Sequence, residues 1–334
     1  MRIVSYTKEG ITFTEVINDK NLKVVFANLG ASIFSIKYDN YVLTRNVRDT
    51  KDFYKTSIYY GKTIGRVANR MKGSTFVLNG ERYVLIPNEN NVVLHSGIFG
   101  LSTKLFNLNT IKSNDRVEII YTKRIGHMED GYPGNLDVEI KYVVGVNDNE
   151  IDIEYKAKSD MDTVLSLTNH SYFTLGSRSV DGLTLQINSN NYLETDEYTL
   201  VPTSRRFVSR VMDFRTPKRI TKDIHDDYLH TYRHNGYDHY YYFIDRDINK
   251  KNLSLYNSKF QLDIYTDFQG VQIYTSGFSC GCMLYPDANY LFDSIAIEPS
   301  DTTRYLHLLK KDEVYSRTIR YVFTSRGAND GKQC

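Results

Sequence analysis

The chain has no tryptophan, only three cysteines, almost no net charge and no long apolar run, and most of these shortages exclude a class of protein. Nowhere do about eighteen apolar residues follow one another, the length a membrane-spanning helix needs. Met1-Arg2-Ile3-Val4-Ser5 leads straight into mixed polar sequence, without the apolar stretch of a secretion signal. Neither export nor a membrane span is expected, and the expected compartment is the cytoplasm. The 42 basic and 40 acidic residues leave a formal charge of +2, with the signs interleaved. That balance argues against nucleic acid or another polyanion as partner and favours a neutral one. Cys280, Cys282 and Cys334 are odd in number, and Cys-Gly-Cys lacks a second ligand pair for zinc, so reduced thiols are expected. Internal repeats, Gly-rich phosphate cradles and nucleophilic Ser or Cys arrangements are also missing, which leaves nucleotide use and covalent catalysis without support. No metal and no cofactor is expected.

What is present is strand-forming sequence. The 28 Tyr and 16 Phe residues recur with Val, Ile and Thr in short runs. Apolar and polar positions alternate through Ile11 to Val16, Leu22 to Phe26, Ser32 to Ile36 and Tyr41 to Leu43, with turn residues between them. This is the period of a half-buried antiparallel meander. Thr75 to Leu85 carries an Asn79-Gly80 turn, a strong local hairpin signal. Further strands are predicted within 117–144, at 150–158 and at 162–167, and a short helix between 45 and 60. A polar segment from Thr216 to His230 has helical character. The length of 334 residues fits two domains or one large β unit. An all-β chain is predicted.

A few polar residues stand out against this background. His170 lies in Thr168-Asn169-His170-Ser171-Tyr172-Phe173-Thr174-Leu175-Gly176, where the run Thr163 to Leu167 empties into a Gly-terminated loop. It is either a hydrogen-bonded core histidine or a proton-transfer group. Gly65-Arg66-Val67-Ala68-Asn69-Arg70 places two guanidiniums and an amide in one loop, of which one Arg should brace the fold and one should face a ligand. His95, in Leu94-His95-Ser96-Gly97, is a turn residue or a site residue. Asp238 opens an aromatic strand and either caps a turn or binds. Glu298 ends the apolar run Ser294 to Ile297, where a carboxylate is expensive to bury without a purpose. It is a base or the ion-pair partner of Arg70. His225, His230 and His234 have no compact metal-ligand spacing.

These motifs, with Gly131-Tyr132-Pro133-Gly134 and Gln269-Gly270-Val271-Gln272-Ile273-Tyr274-Thr275, stand in an order that closely resembles the galactose mutarotase (aldose 1-epimerase) family, from about residue 10 to about 323. The resemblance implies one domain over 1–334 with a polar tail at 324–334. Its fold would be a large antiparallel β-sandwich of the galactose mutarotase-like supersandwich type with a few short helices. It implies Glu298 as base, His170 as acid and His95 as a helper that polarises or shares the proton, with Asn69, Arg70, Asp238 and Gln272 on the sugar hydroxyls. Arg66 is left as the structural arginine.

The implied reaction is the exchange of α and β anomers of a free aldohexose such as galactose or glucose. One group deprotonates the C1 hydroxyl while another protonates the ring oxygen; the ring opens, C1 rotates, and the ring recloses. The expected layout has base and acid on opposite sides of the hemiacetal, with Glu298 ionised, His170 protonated, and a bell-shaped rate profile across the range where histidine titrates. The chain departs from the family at Ser96, where Gly is usual, at Tyr240, where Asn is common, and through 300–313, which bears on sugar preference and on whether the chain is a monomer or a homodimer. A glycoside hydrolase, a non-catalytic sugar-binding module and a maltose-type disaccharide epimerase are the alternatives, and a hexose-phosphate epimerase lacks a phosphate-binding cluster.

Overall fold

The computed structural model describes residues 1–230, 235–287, 291–302 and 304–327. Three antiparallel sheets dominate them. A five-stranded meander runs in chain order through Arg2–Lys8, Ile11–Ile17, Leu22–Ala27, Ser32–Tyr38 and Tyr41–Val42. A nine-stranded sheet is built around Arg116–Ile125, Leu136–Gly145, Glu150–Ser159, Val314–Ser325 and Phe260–Thr266, neighbours in that order. An eight-stranded sheet has Asp238–Tyr242, Gly270–Tyr274, Ile295–Ser300 and Tyr172–Phe173 side by side at its centre.

Period-two alternation sorts the faces. In Leu136–Gly145, Leu136, Val138, Ile140, Tyr142 and Val144 are buried, and their partners across the ladder are Ile119, Tyr121, Ile151, Ile153 and Tyr155. Between them, on the outer face, Lys141 pairs with Glu154 at 2.8 Å. The apolar face packs on Val271, Ile273, Ile295 and Ile297 of the eight-stranded sheet in one continuous cluster. The central strands of that sheet are buried on both sides, so their other face is free to build a site.

The predicted meander, the Asn79-Gly80 hairpin and the long strands within 117–158 all form. The helices are short and 3-10 only: 45–60 holds the strand Thr44–Val47 and one 3-10 turn at Asp52–Tyr54, and 216–230 holds a two-residue strand and two 3-10 turns. Without a sustained apolar stripe, neither segment has anything for a helix to pack. Strands Arg2–Lys8 and Asn107–Lys112 are nearly all exposed edges, and they lack the alternation that would have announced them. His234 and Cys334 lie outside the described residues. His225 and His230 stack on each other at 5.7 Å, and they belong to no cluster of potential metal ligands among the described residues.

Gly61 links the meander to the centre. It takes a left-handed φ of 69°, and a Cβ there would sit 1.8 Å from the Ile33 carbonyl oxygen, so only glycine fits. Its carbonyl accepts from the Ile33 amide at 2.9 Å and its own amide donates to the His170 carbonyl at 2.8 Å. The next residue, Lys62, is 1 % exposed. Its Nζ donates to the Phe53 carbonyl at 2.7 Å above the Phe53 ring and has no carboxylate partner among the described residues. Burial pushes this ammonium down to about 7. A lysine lowered by folding binds more protons unfolded than folded, so stability rises with pH between about 7 and the unfolded value of about 10.4. Denaturant unfolding of Lys62→Met should therefore show a gain of roughly 2–4 kcal/mol at pH 7 that shrinks toward pH 10. A pH-independent difference between the two chains would contradict the assignment.

Candidate active site

The site is assembled on the second face of the eight-stranded sheet. Alternation turns Ile295 and Ile297 into the core and Glu298 to the other side; in the next strand Val271 and Ile273 go inward while Gln272 and Tyr274 face the site. Register then places Gln272 beside Glu298, Tyr274 beside Asp238, and Tyr172 on the far flank through Ala296. The opposite wall comes from short pairings: Arg70–Met71 with Val93–Leu94, and Thr63–Ile64 with Thr168–Asn169. His170 follows directly, its amide donating to the Lys62 carbonyl at 2.9 Å. The histidine is thus pinned between two short strands, not carried on the open loop that the sequence suggested.

All seven candidate residues, Asn69, Arg70, His95, His170, Asp238, Gln272 and Glu298, line one cavity of ≈ 380 Å³. That is within the size range of small-molecule sites. At its base, Nε2 of His170 lies 3.2 Å from Oε1 of Glu298, and the two residues are 3 % and 2 % exposed. A carboxylate oxygen of Glu298 and one nitrogen each of His95 and His170 fall within 4.8 Å of one another. The His170 ring is stacked on Tyr172 at 4.9 Å and on Tyr59 at 5.7 Å, with the His95 ring edge-on at 5.1 Å. Its Nδ1 is buried and has no hydrogen-bond partner among the described residues.

The electrostatics follow from the burial. Desolvation pushes Glu298 well above the ordinary carboxylate value, with the charge of Asp238 adding to the rise and Arg70 opposing it. Desolvation pushes His170 down to about 3, and the Arg70 charge adds to the fall. Both shifts favour uncharged forms, so at neutral pH the pair holds a single proton across one hydrogen bond. His95 is driven well below its ordinary value by burial and by the neighbouring His170 and Arg70, so it is neutral. Its Nδ1 accepts the Asn69 amide at 3.1 Å, which assigns the ring proton to Nε2 as a donor.

A second set of bonds holds the side walls. Arg70 Nη1 donates to Asp238 Oδ2 at 3.2 Å, Gln272 Nε2 donates to Asp238 Oδ1 at 2.6 Å, and Asn69 Nδ2 donates to Gln272 Oε1 at 2.8 Å. Asn69 Oδ1 accepts the Arg70 amide at 2.6 Å and closes the ring. Glu89 grips the free side of the same guanidinium, at 2.5 Å from Nε and 3.2 Å from Nη2. Burial works against that charge, and Asp238 and Glu89 more than offset it, so Arg70 is held above its ordinary value. Glu298 therefore pairs with His170 and not with Arg70, the alternative left open by the sequence.

Arg66 is fully buried away from the cavity, on Asp130 at 2.8 Å and the Pro133 and Gly134 carbonyls. It docks the Asp130 to Gly134 turn and so has the bracing role. Tyr240 is buried and donates to the Ser300 carbonyl at 2.8 Å; it does not narrow the cavity. Of the 300–313 segment, no described residue lines the cavity either. Sequence reasoning missed Tyr59, Glu89 and Tyr274 as lining residues. Tyr274 was findable, two residues beyond Gln272 on the same strand face. Tyr59 and Glu89 depend on contacts that no local pattern encodes.

A neutral polyhydroxylated molecule, turned by proton transfer at one end and held by paired amides and charges along its side, is what such a cavity on such a sandwich suits; the class is sugar isomerase. Residues 13–322 match the family model described as aldose 1-epimerase, and the chain belongs to that family. It is 28 % identical over 297 residues to galactose mutarotase of Sus scrofa, covering 83 % of this chain and 82 % of that protein. It is 32 % identical over 299 residues to aldose 1-epimerase of Haemophilus influenzae, covering 84 % of each. The crystal structure of galactose 1-epimerase from Lactobacillus acidophilus superposes with a TM-score of 0.84 over 97 % of this chain and 98 % of that one, at 24 % identity.

Ser96 replaces the glycine usual in this family at a left-handed φ of 64°, beside His95 at 55° and opposite Asn69 at 68°. Its Oγ accepts the buried Val67 amide at 2.7 Å, which offsets the backbone strain. Ser96→Ala keeps the strain and orphans the amide, a loss of about 1–3 kcal/mol. Ser96→Gly orphans the amide but recovers about 1 kcal/mol of strain. Denaturation midpoints should rank wild type above Ser96→Gly above Ser96→Ala, and the reverse order of the two variants would remove this account.

Proposed function

We propose that the chain interconverts the α and β anomers of free aldohexoses such as galactose or glucose, with Glu298 as base, His170 as acid and His95 as a fixed donor to the ring oxygen. The observation that carries the reading is the buried Glu298–His170 contact of 3.2 Å with His95 alongside. The C1 hydroxyl and the ring oxygen are both bonded to C1, so groups that touch each other serve both atoms. An acid and a base on opposite sides of the ring, the layout expected from the sequence, are not needed. With the shared proton on His170, the ionised Glu298 removes the hydroxyl proton as His170 supplies its own to the ring oxygen; the C1–ring oxygen bond breaks and the aldehyde forms, leaving Glu298 protonated and His170 neutral, the uncharged arrangement that burial favours. After rotation about C1–C2 the same two transfers run backwards on the other face. Asn69, Arg70, Asp238 and Gln272 are proposed to hold the remaining hydroxyls, already arranged by their mutual bonds.

No helix among the described residues is long and apolar enough to cross a membrane. A cytoplasmic site of action, where free hexoses are consumed, forms part of the proposal.

Because the competent pair holds one proton, the rate falls when it gains a second or loses the one it has. Burial moves the first event down toward about 3 and the second well above the carboxylate range. The profile of kcat/KM against pH should show no inflection near 6.5, its acid limb lying lower, which revises the limb expected at histidine's ordinary value. A one-proton inflection between about 6 and 7 that disappears in His170→Asn would contradict it. By polarimetry of freshly dissolved α-galactose, Glu298→Gln should lose roughly 10²-fold to 10⁴-fold in kcat while still binding sugar by calorimetry. Full activity in that variant would remove the base assignment.

Two imidazoles and a carboxylate within 4.8 Å are also a set that zinc accepts. The proton-transfer reading requires that chelator-treated, metal-free protein keep its mutarotation rate. Loss of activity on chelation, restored by Zn²⁺, would replace it with a metal-assisted one.

A further inference from the structure

We propose that Cys280 and Cys282 form a dithiol in the wall of the sugar cavity that exchanges with low-molecular-weight disulfides, and that this exchange closes the cavity to sugar. The half-buried Cys280 lines the cavity with Tyr60, Ser276, Phe278 and Ser279, while Cys282 is buried in the apolar cluster behind it. The Cys282 amide donates to the Cys280 sulfur at 3.3 Å, so the two residues are already folded onto each other. Gly281 between them takes a left-handed φ of 66° and has open space on its Cβ side. That conformation turns the chain back between the two cysteines, as a disulfide, which spans Cα atoms about 4.4–6.8 Å apart, requires.

The two sulfurs have different surroundings. Burial and the adjacent Cys280 hold the Cys282 thiol above its ordinary value, although the Lys55 ammonium donates to it at 3.6 Å. Cys280, open to the cavity, attacks first. Its thiolate displaces one thiolate from a disulfide RSSR, leaving a mixed disulfide; Cys282, its proton lost, then attacks the Cys280 sulfur and expels the second RS⁻. The protein loses two hydrogens and RSSR becomes two RSH. An adduct on Cys280 occupies the cavity itself. A closed disulfide shifts Cys280 against Tyr60, whose ring lies 4.3 Å from Tyr172, itself stacked on His170 at 4.9 Å. Neither thiol takes part in the anomer exchange, and the chemistry at sulfur is read without reference to turnover.

The test uses the full chain carrying Cys334→Ser, treated with oxidised glutathione, with intact mass and mutarotation followed together. The mass should fall by two hydrogens as activity drops about tenfold, dithiothreitol should restore both, and saturating galactose should slow both. Cys282→Ser should stop at the glutathione adduct. Cys280→Ser should stay within about twofold of its own starting activity under the same treatment. Disulfide formation with unchanged activity, or inactivation of Cys280→Ser at the unmodified chain's rate, would overturn the proposal. Peptide mapping after iodoacetamide gives a readout independent of folding of the variants: Cys280 should alkylate faster than Cys282 and more slowly with galactose present, and equal labelling with and without sugar would remove Cys280 from the cavity.

Discussion

The structure turns on a carboxylate buried, among the described residues, without a cationic partner of its own. Glu298 sits on a strand whose every residue is buried, Ile295–Ser300, and the guanidinium whose charge acts on it, Arg70, is already engaged by Asp238 and Glu89. What remains for Glu298 is the imidazole of His170. Two groups that each disfavour charge in this setting and share one proton across one hydrogen bond have, in the proposed reaction, the means to pass a proton outward and take another in at low cost. In water the carboxylate would sit charged and solvated, and the transfer would require solvent to reorganise.

The rest of the molecule keeps that contact in place. Stacked rings of Tyr59 and Tyr172 fix the His170 plane, and backbone bonds to Gly61 and Lys62 fix its position along the chain. The ring of bonds through Arg70, Asp238, Gln272 and Asn69 orders the polar wall in advance, so in the proposed binding role little side-chain entropy would be left to lose. Three residues in and behind that wall, Asn69, His95 and Ser96, adopt left-handed backbone conformations. Strain of this kind persists where the surroundings over-determine it, and here it aims an amide at Nδ1 of His95 and leaves Nε2 facing the cavity.

The sandwich was legible because its long strands obey period two: Leu136 to Gly145 could be read directly, and so could the Asn79-Gly80 hairpin. The edges were not, since an exposed strand such as Asn107–Lys112 has no buried face to impress on the sequence. At the polar runs 45–60 and 216–230 helix could be expected but its extent could not, for the related reason that charge and turn residues alone do not select between a sustained helix and isolated 3-10 turns. The seven candidate residues were marked by their types and by family resemblance; their convergence was not, because it depends on the register of three strands and on two-residue pairings far apart in sequence. Nor could residue types reveal the direction of the proton shifts. A sequence suggests histidine near its ordinary value, whereas the fold buries His170 and moves it far below.

The most direct measurement of the central claim is a double-mutant cycle on mutarotation, comparing Glu298→Gln, His170→Gln and the chain carrying both. If the pair works as one proton-sharing unit, either single change removes nearly the whole effect and the double variant loses no more than about tenfold beyond the worse single one. Losses that multiply, so that the double variant falls by the product of the two single effects, would show two independent groups and contradict the account.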